Sequence, residues 1–415
     1  MDLTPHQKKA YREIRKRLRK KEAHTSLKGY AGTGKTYLLA YLVDELAMQG
    51  KRVYVCAPTH KAAQVLREKI GDDWITTQTI HAFLGLRLVP DKQGGYRLQP
   101  EKGRHLPKEA IVVVDEASMI GVEEWGHITA ATGLTWLFAG DPAQLPPVNE
   151  EPSPALSVPG PTLEEIVRQA QENPIIQLAT EVRSGDRVTW KGQMKQDEGI
   201  GVTNNADAFL RSAIRAFESD AFRMDATHAR ILAYRNRTVS DYNAAVRSAI
   251  FEHAEERFVK GEWLIARDTW FNDGIPYLIN SEEVRVQKAV EDEDIDLKTG
   301  EWKVWRLTVR GRGDFRKRTL PILHESEYAR FDEELTHYRK AALKNDKKWD
   351  AFYALKERFA RVDYAYACTI HKAQGSTFDT AFVDRRDAMV CQGPERQALL
   401  YVAVTRPARR LAVLV

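Results

Sequence analysis

The clearest chemical signal in this chain lies at residues 29–36, which read GYAGTGKT and fit the spacing G-x-x-x-x-G-K-[ST]. In this pattern backbone N–H groups wrap phosphates at the N-terminus of a helix. We expect Lys35 to neutralise the β- and γ-phosphates of ATP and Thr36 to hold Mg²⁺. A simple glycine-rich turn would not explain the Lys-Thr ending. The residues expected to bind the nucleotide here are Gly32, Thr33, Gly34, Lys35 and Thr36.

Two carboxylates follow the apolar run at 111–114, which reads as a strand buried on both faces. In a phosphate-loop protein we expect Asp115 to bind Mg²⁺, directly or through water. We expect Glu116 to orient and deprotonate the attacking water. An isolated Asp-Glu pair is usually a solvated turn, but the position after a buried strand favours a hydrolytic role.

A third polar turn follows the apolar residues 137–139. Gln144 in this turn could reach the γ-phosphate and report its presence, and the alternative is a strand exit in which Asp141 is a turn residue. Taken together, the three segments predict a nucleotide hydrolase. They do not say what the hydrolysis drives.

The elements around these segments alternate between short apolar runs and helical stretches, which predicts an α/β fold with parallel sheets. This alternation of strands and helices is interrupted twice. At 86–108 a turn-rich stretch lies between two strand-like segments, and the second interruption is the charged region 251–360. We therefore predict two α/β domains, each with an inserted subdomain. The predicted boundaries are 1–85 with 109–183 for the first domain, 86–108 for its hairpin, 184–250 with 361–415 for the second domain, and 251–360 for its insertion.

Composition narrows the class of protein. The chain is 43% hydrophobic and 29% charged, as expected for a globular protein, and its formal charge of +5 permits a nucleic-acid partner without requiring one. The three cysteines have no paired spacing, so we expect neither a zinc site nor a disulfide framework, and a reducing compartment is the simplest interpretation. We find no secretory signal and no apolar run long enough to span a membrane.

The chain resembles the superfamily 1B DNA helicases, specifically the Dda-like and RecD-like group, over nearly its whole length. Segments similar to the family's motifs occur in the family's order: TPHQ (4–7), GYAGTGKT (29–36), APTHKAA (57–63), TIHAFLG (79–85), DEAS (115–118), GDPAQ (140–144), TIHKAQGST (369–377) and LYVAVTR (400–406). The last two are highly specific in combination.

This resemblance implies two RecA-like domains that sandwich ATP. It implies that Gln7 reads adenine, that Gln374 lies at the nucleotide, and that Arg406 is an arginine finger reaching the γ-phosphate from the opposite domain. Arg168 is a weaker match to a second family arginine, with an exposed helix arginine as the alternative. The hairpin at 86–108 would carry a strand-separating pin, and 251–360 would form an SH3-like element with a helical arm.

Seven residues in or near these motifs carry donors that could bind DNA phosphate without reading sequence. They are Thr59, His60, Thr79, His81, Asn236, Thr369 and His371. Phe83 and Tyr96 could stack on bases, although a core or surface role is equally compatible with the sequence. The chain departs from the family at Arg235, where Thr is common before Asn236, and at Ser281, where Gly is common after Asn280.

The resulting hypothesis is an ATP-dependent DNA helicase that translocates on single-stranded DNA and unwinds duplexes. The family resemblance alone implies 5′-to-3′ movement. We further expect a monomer that acts at single-strand/duplex junctions beside replication or recombination proteins, located in the cytoplasm of a bacterial or phage-infected cell or otherwise inside a cell. Three alternatives stay open at this point: a translocase without strand separation, a one-domain phosphate-loop ATPase or kinase, and a non-hydrolysing DNA-binding scaffold.

Overall fold

The structure is a computed structural model that describes residues 3–70, 75–167, 172–185, 188–196, 198–272, 274–296, 299–314 and 316–415. Its first part contains the following elements in chain order: α1 (Pro5–Arg19), β1 (His24–Gly29), α2 (Lys35–Met48), β2 (Val53–Ala57), α3 (His60–Ile70), β3 (Thr76–Thr79), α4 (Ile80–Leu84), β4 (Leu86–Pro90), β5 (Tyr96–Pro100), β6 (Ala110–Val114), α5 (Val122–Ala130), β7 (Leu134–Gly140), α6 (Pro154–Ser157) and β8 (Thr162–Leu163).

The remaining elements follow in the same way. They are α7 (Pro174–Ser184), β9 (Gln193–Lys195), β10 (Glu198–Thr203), α8 (Ala206–Glu218), α9 (Asp220–Met224), β11 (Ala229–Ala233), α10 (Asn236–Ile250), β12 (Trp263–Ala266), β13 (Trp270–Asn272), β14 (Ile275–Leu278), β15 (Glu283–Asp296), β16 (Gly300–Gly311), β17 (Lys317–Leu323), α11 (Tyr328–Ala342), α12 (Trp349–Lys356), β18 (Val362–Tyr364), β19 (Ala367–Thr369), α13 (Ile370–Ala373), β20 (Phe378–Asp384), α14 (Arg385–Ala388), α15 (Glu395–Val404) and β21 (Pro407–Leu414).

The first lobe is built on a parallel sheet with the strand order β3-β2-β6-β7-β1-β8. Its central strands are apolar runs buried by helices on both faces, as parallel sheets require. Because β1, β6 and β7 are neighbours and point the same way, the loops after them meet at one edge of the sheet. Those loops are the glycine-rich segment, the Asp-Glu pair and the turn holding Gln144.

The second lobe has the strand order β19-β11-β20-β21-β10-β9, with parallel pairing except at the edge strand β9. The expected architecture of two parallel α/β lobes, each carrying an insertion, is confirmed. Helix α7 packs its buried face against the core of this second lobe, beside Leu399 and Leu400. The sequence had assigned residues up to 183 to the first domain, so this boundary moves to before α7.

The first insertion is the hairpin β4–β5, paired from Leu86 opposite Pro100 to Pro90 opposite Tyr96. At its tip the Asp91 carboxylate accepts the backbone N–H groups of Gln93 (2.7 Å) and Gly95 (2.8 Å). A side chain that fixes its own turn in this way makes the tip well defined without a large core.

The second insertion is an antiparallel sheet with the order β17-β16-β15-β12-β18, covered at one end by the helical arm α11–α12. Strand β18 (Val362–Tyr364) pairs with β12, so this sheet extends beyond residue 360, where the sequence placed its boundary. No helix in the described ranges is long and apolar enough to cross a membrane.

Candidate functional site

The glycine-rich loop joins β1 to α2 at the edge of the first sheet. Gly32 and Gly34 have φ angles of +78° and +73°, in the left-handed region that favours glycine. The loop is also fixed by side chains: the Thr33 hydroxyl donates to the carbonyl of Tyr30 (2.8 Å), and Lys35 Nζ lies 3.4 Å from the carbonyl of Gly29. This arrangement leaves backbone N–H groups at the start of α2, where a phosphate is stabilised.

The Gln7 side chain stabilises the glycine-rich loop through hydrogen bonds. Its Oε1 accepts the N–H of Thr4 (3.0 Å), which caps α1, and its Nε2 donates to the carbonyls of Thr33 (3.3 Å) and Gly34 (3.4 Å). Only 3% of the residue is exposed. In this structure Gln7 therefore braces the phosphate loop, and its reading of adenine stays a prediction.

The two carboxylates after β6 differ in their surroundings. Asp115 Oδ1 accepts the N–H of Glu116 (2.9 Å), which fixes the carboxylate at the strand end. Glu116 has a φ of +55°, a conformation that costs a non-glycine residue about 1–2 kcal/mol. Its Oε2 is buried and has no hydrogen-bond partner among the described residues. A strained, buried carboxylate with a free oxygen fits the task of holding a water for attack.

Asp141 in the next loop is 2% exposed and joins both lobes. Its Oδ1 accepts the N–H of Ala143 (2.9 Å), and its Oδ2 accepts the hydroxyl of Tyr401 (2.7 Å) from helix α15. Burial raises the pKa of the Asp141 carboxyl, and the nearby Lys35 acts in the opposite direction. Gln374 of the second lobe donates to Gln144 Oε1 (3.3 Å), so these two predicted site residues meet at the cleft between the lobes.

Arg406 lies at the same cleft and is 6% exposed. Its guanidinium donates to the carbonyls of Val402 (3.1 Å) and Ser376 (3.2 Å) within its own lobe. Burial lowers its pKa, while the negative charges of Glu116 and Asp141 act to raise it. These carboxylates belong to the first lobe, so Arg406 lies within electrostatic reach of the first lobe from across the cleft.

Arg168 lies outside the described residues, so its predicted role stays a prediction. A different arginine reaches the phosphate loop: the guanidinium of Arg183 lies 3.6 Å from the ring centre of Tyr30. Arg183 ends α7, which packs on the second lobe. The sequence does not predict this contact, because an arginine in the last turn of a helix is most often an ordinary surface residue.

Three of the predicted DNA contacts share one geometry. Thr79 and Thr369 each end a parallel strand, and Thr59 lies two residues after one. Each hydroxyl oxygen accepts the backbone N–H three residues later, at 3.1 Å for Thr59 and Thr79 and 3.2 Å for Thr369. The oxygen is used to cap a helix, but the hydroxyl proton is still available to a phosphate. The same capping arrangement therefore occurs in both lobes, and the binding of DNA phosphate by these hydroxyls stays a prediction.

The histidines among these candidates fall into two groups. Burial lowers the pKa of His60, with a further contribution from the nearby His81, so His60 is a neutral donor at neutral pH. His81 and His371 instead pair with carboxylates, at 3.0 Å from Glu124 and 2.9 Å from Glu395.

The segment leading to Asn236 is fixed by one buried carboxylate. Asp387 accepts the backbone N–H groups of Tyr234 (2.7 Å) and Arg235 (2.8 Å), and it also pairs with the Arg235 side chain (2.5 Å). Arg235 is the residue at which the chain departs from the family pattern, and this ion pair gives it a structural role. Asn236, the first residue of α10, is placed at the helix N-terminus by these bonds.

The two aromatic residues expected to stack on bases have different outcomes. Phe83 is 2% exposed and packs against Tyr54 and Trp136 in the first core, so the expectation of base stacking is wrong for this residue. Helix α4 directs the Phe83 ring into the core, where it packs beside strand residues of the first sheet. Tyr96 is 38% exposed, but its hydroxyl donates to Glu357 (2.7 Å) and Lys356 Nζ lies 4.5 Å from its ring centre. One face of Tyr96 is therefore used in packing against the arm.

Comparison with known proteins adds family information to this geometry. The AAA domain family matches residues 2–204, and the UvrD-like helicase C-terminal domain family matches residues 364–415. The chain is similar to the ATP-dependent DNA helicase dda of Enterobacteria phage T4, with 29% identity covering 98% of this chain and 97% of that protein. It is also similar to the ATP-dependent RecD2 DNA helicase of Deinococcus radiodurans, with 36% identity over 40% of this chain and 22% of that protein.

Solved structures share the fold. The structure of Pif1 helicase from Bacteroides in complex with ADP-AlF3 and ssDNA aligns over 99% of this chain and 92% of its own, with a TM-score of 0.52 and 17% identity. A structure describing DNA unwinding at forked dsDNA by two coordinating Pif1 helicases aligns over 100% and 92%, with a TM-score of 0.54 and 18% identity. The solved structures show the shared fold, and the ordered motifs, the two family matches and the similarity to the dda and RecD2 helicases show that the chain belongs to the superfamily 1B helicases of the Dda-, Pif1- and RecD-like group.

Proposed function

We propose that this protein is an ATP-dependent DNA helicase that translocates on single-stranded DNA and separates duplex strands. The observation that carries the proposal is the position of Arg406. Its buried guanidinium, supplied by the second lobe, lies close enough to the carboxylates of Glu116 and Asp141 in the first for their charges to interact. A charge supplied across a cleft makes hydrolysis depend on how the two lobes are arranged, which a motor requires and a one-domain ATPase does not.

Hydrolysis in this proposal follows from the groups around the cleft. The N–H groups from Gly32 to Thr36 bind the phosphates of ATP, and Lys35 neutralises them. Thr36 and Asp115 are the residues that would hold Mg²⁺, which when bound neutralises charge on the phosphate oxygens. Glu116 has a buried carboxylate oxygen without a partner among the described residues, and this oxygen accepts the proton of the attacking water.

Movement along DNA requires each lobe to hold the strand without reading its sequence. The capping threonines Thr59 and Thr79 in the first lobe and Thr369 in the second supply equivalent neutral donors, and His60 adds another. Alternating closure of the cleft would shorten and lengthen the distance between these positions. We propose that this cycle moves the protein along one strand, in the 5′-to-3′ direction that its family resemblance implies.

Strand separation requires a rigid element ahead of the lobes, and the hairpin at 86–108 meets this requirement. Its tip contacts the helical arm: the single proton of the Tyr353 hydroxyl is shared between the carbonyl oxygens of Gly95 (2.5 Å) and Asp91 (3.0 Å), and Lys356 Nζ donates to the carbonyl of Gly94 (2.8 Å). A two-stranded hairpin alone would be only marginally stable. Bracing by the second insertion favours a pin over the alternative of a translocase without strand separation.

We also propose that the protein acts as a monomer at junctions between single-stranded and duplex DNA, beside replication or recombination proteins. The test is strand displacement from duplexes that carry a 5′ or a 3′ single-stranded tail, with ATP and Mg²⁺ varied separately. Displacement from the 5′-tailed substrate, together with ATPase activity that rises sharply with single-stranded DNA, is expected. Equal ATPase activity with and without DNA would contradict a motor function, and displacement from the 3′ tail alone would contradict the polarity.

A further inference from the structure

Tyr401 stands out because its hydroxyl joins two motif loops of the first lobe to a helix of the second. It lies in α15 and is 2% exposed. The hydroxyl oxygen accepts the N–H of Ala31 (2.8 Å) in the phosphate loop, and its proton is donated to Asp141 Oδ2 (2.7 Å). Both partners belong to the first lobe. Both hydrogen bonds recorded for the Tyr401 hydroxyl therefore cross the cleft between the lobes.

The chemistry at each end of this bridge matters for ATP. Ala31 lies within the segment whose N–H groups wrap phosphates, so its orientation is part of the binding loop. Asp141 is buried close enough to Lys35 for the two charges to interact. Five residues after Tyr401, Arg406 lies just beyond the end of the same helix, close enough to Glu116 for the two charges to interact. A rigid helix thus links the phenol to the arginine.

We propose that Tyr401 is a positioning residue whose hydroxyl docks helix α15 on the phosphate loop and Asp141, and thereby places Arg406 for hydrolysis. The proposal rests on the proposed ATP-driven function. Tyr401 does not touch the reacting phosphate. Its hydroxyl fixes the positions of Ala31 and Asp141 relative to the second lobe. When ATP and DNA bind, the two lobes then close from a defined relative orientation.

The variant Tyr401→Phe tests the hydroxyl alone, because the phenyl ring keeps its packing in the second core. Arg183 still stacks on Tyr30 at 3.6 Å, so a second contact across the cleft stays in place. We expect kcat of the DNA-stimulated ATPase to fall about 10- to 100-fold, as for loss of a buried hydrogen bond to a charged group. KM for ATP should change less than about threefold, since Lys35 and the loop remain.

A matched control is available within the second lobe. Tyr242 is a half-buried tyrosine whose hydroxyl also donates to a carboxylate, Asp384 Oδ2, at the same distance of 2.7 Å. Both residues of this pair lie in one lobe. Tyr242→Phe should lower the melting temperature to a similar degree and leave kcat and DNA stimulation at the parent values.

Two further measurements separate positioning from a merely structural role. Asp141→Ala and the double variant with Tyr401→Phe should be strongly non-additive in kcat, because each substitution removes the same hydrogen bond between the two residues. Lobe closure without nucleotide can be followed by fluorescence energy transfer between dyes on Met48→Cys and Met224→Cys, which are 82% and 79% exposed and lie on different lobes. The native cysteines are buried in the structure, so labelling should favour the introduced ones.

Tyr401→Phe should reduce the high-transfer population relative to both the parent and Tyr242→Phe. Unchanged transfer and unchanged kcat would overturn the proposal, and so would a rise in KM with kcat preserved. Additive effects of the two substitutions would show that Tyr401 does not act through Asp141. A parent protein without DNA-stimulated ATPase activity would contradict the proposed function instead, while the transfer measurement would still decide whether the hydroxyl docks the lobes.

Discussion

Lys61 Nζ lies 2.5 Å from Glu283 Oε1, and this ion pair joins helix α3, which begins at His60 directly after Thr59, to the sheet of the second insertion. The same carboxylate oxygen accepts from Arg230 (3.0 Å) in strand β11 of the second lobe. The side chains of Glu283 and Arg230 are 5% and 0% exposed. One buried anion therefore holds together the first lobe, the second lobe and the insertion, directly beside predicted DNA contacts.

Neutralising the Glu283 carboxylate should lower the free energy of unfolding. Glu283→Gln would leave Lys61 and Arg230 buried beside each other without a counter-charge, and breaking a buried pair in this way typically costs about 3–5 kcal/mol. We expect a clear loss in the free energy of unfolding, measured with denaturant, and weaker DNA stimulation of the ATPase. Glu291→Gln breaks an exposed pair with Lys303 in the same sheet and should leave the unfolding curve unchanged. Similar curves for both variants would contradict a joining role for Glu283.

The same pair predicts a pH dependence. Burial alone would raise the pKa of Glu283, but Lys61 and Arg230 act more strongly together and hold the pKa below the ordinary value of 4.5. The unfolded chain then binds more protons than the folded one in this range, so stability rises with pH. The contribution of Glu283 should be complete above pH 4.5 and be lost as the pH falls through the lowered folded value. The difference in unfolding free energy between the parent and Glu283→Gln should therefore shrink on acidification, and a constant difference would argue against the pair.

The positions of functional groups could be predicted best where a short sequence motif determines the local backbone conformation. The phosphate loop and the carboxylates after β6 are examples, because strand, turn and helix follow one another locally. The contacts of Tyr401, Arg183 and Glu283 could not be predicted, since each depends on a surface that is distant in sequence. The error at Phe83 has a related cause: a short helix can turn an aromatic ring to either side, and only packing against Trp136 decides which.

The roles assigned to Lys35 and Glu116 can be separated by substitution. Lys35→Ala removes the charge that neutralises the phosphates, so nucleotide binding should weaken and turnover should be abolished. Glu116→Gln keeps the side-chain shape but removes the base, so ATP should still bind while turnover falls by about two to four orders of magnitude. Nucleotide binding and steady-state ATPase, measured on both variants, test the assignment. Near-normal turnover by Glu116→Gln would remove it from the role of base.

The contact between hairpin and arm predicts that unwinding can be lost while the motor survives. The tip carbonyls at Asp91, Gly94 and Gly95 are held by Tyr353 and Lys356. The double variant Tyr353→Phe with Lys356→Met removes these donors but keeps the ring of residue 353 against Tyr96, 5.4 Å away between centres. With each bond worth about 1 kcal/mol, the ratio of seated to unseated hairpin should fall by roughly tenfold or more.

A hairpin that is displaced by the duplex cannot force the next base pair open. The nucleotide cleft, in contrast, does not require a fixed hairpin. DNA-stimulated ATPase and translocation on single strands should therefore stay near the parent rates, while displacement of a paired strand falls. Lys340→Met removes one exposed charge from the same arm and should leave all three activities unchanged. Replacing residues 90–98 with a short Gly-Ser link should abolish displacement altogether with the same ATPase. Displacement at the parent rate in both hairpin variants would show that another element separates the strands, and a collapse of ATPase in the double variant would show that the arm supports the motor itself.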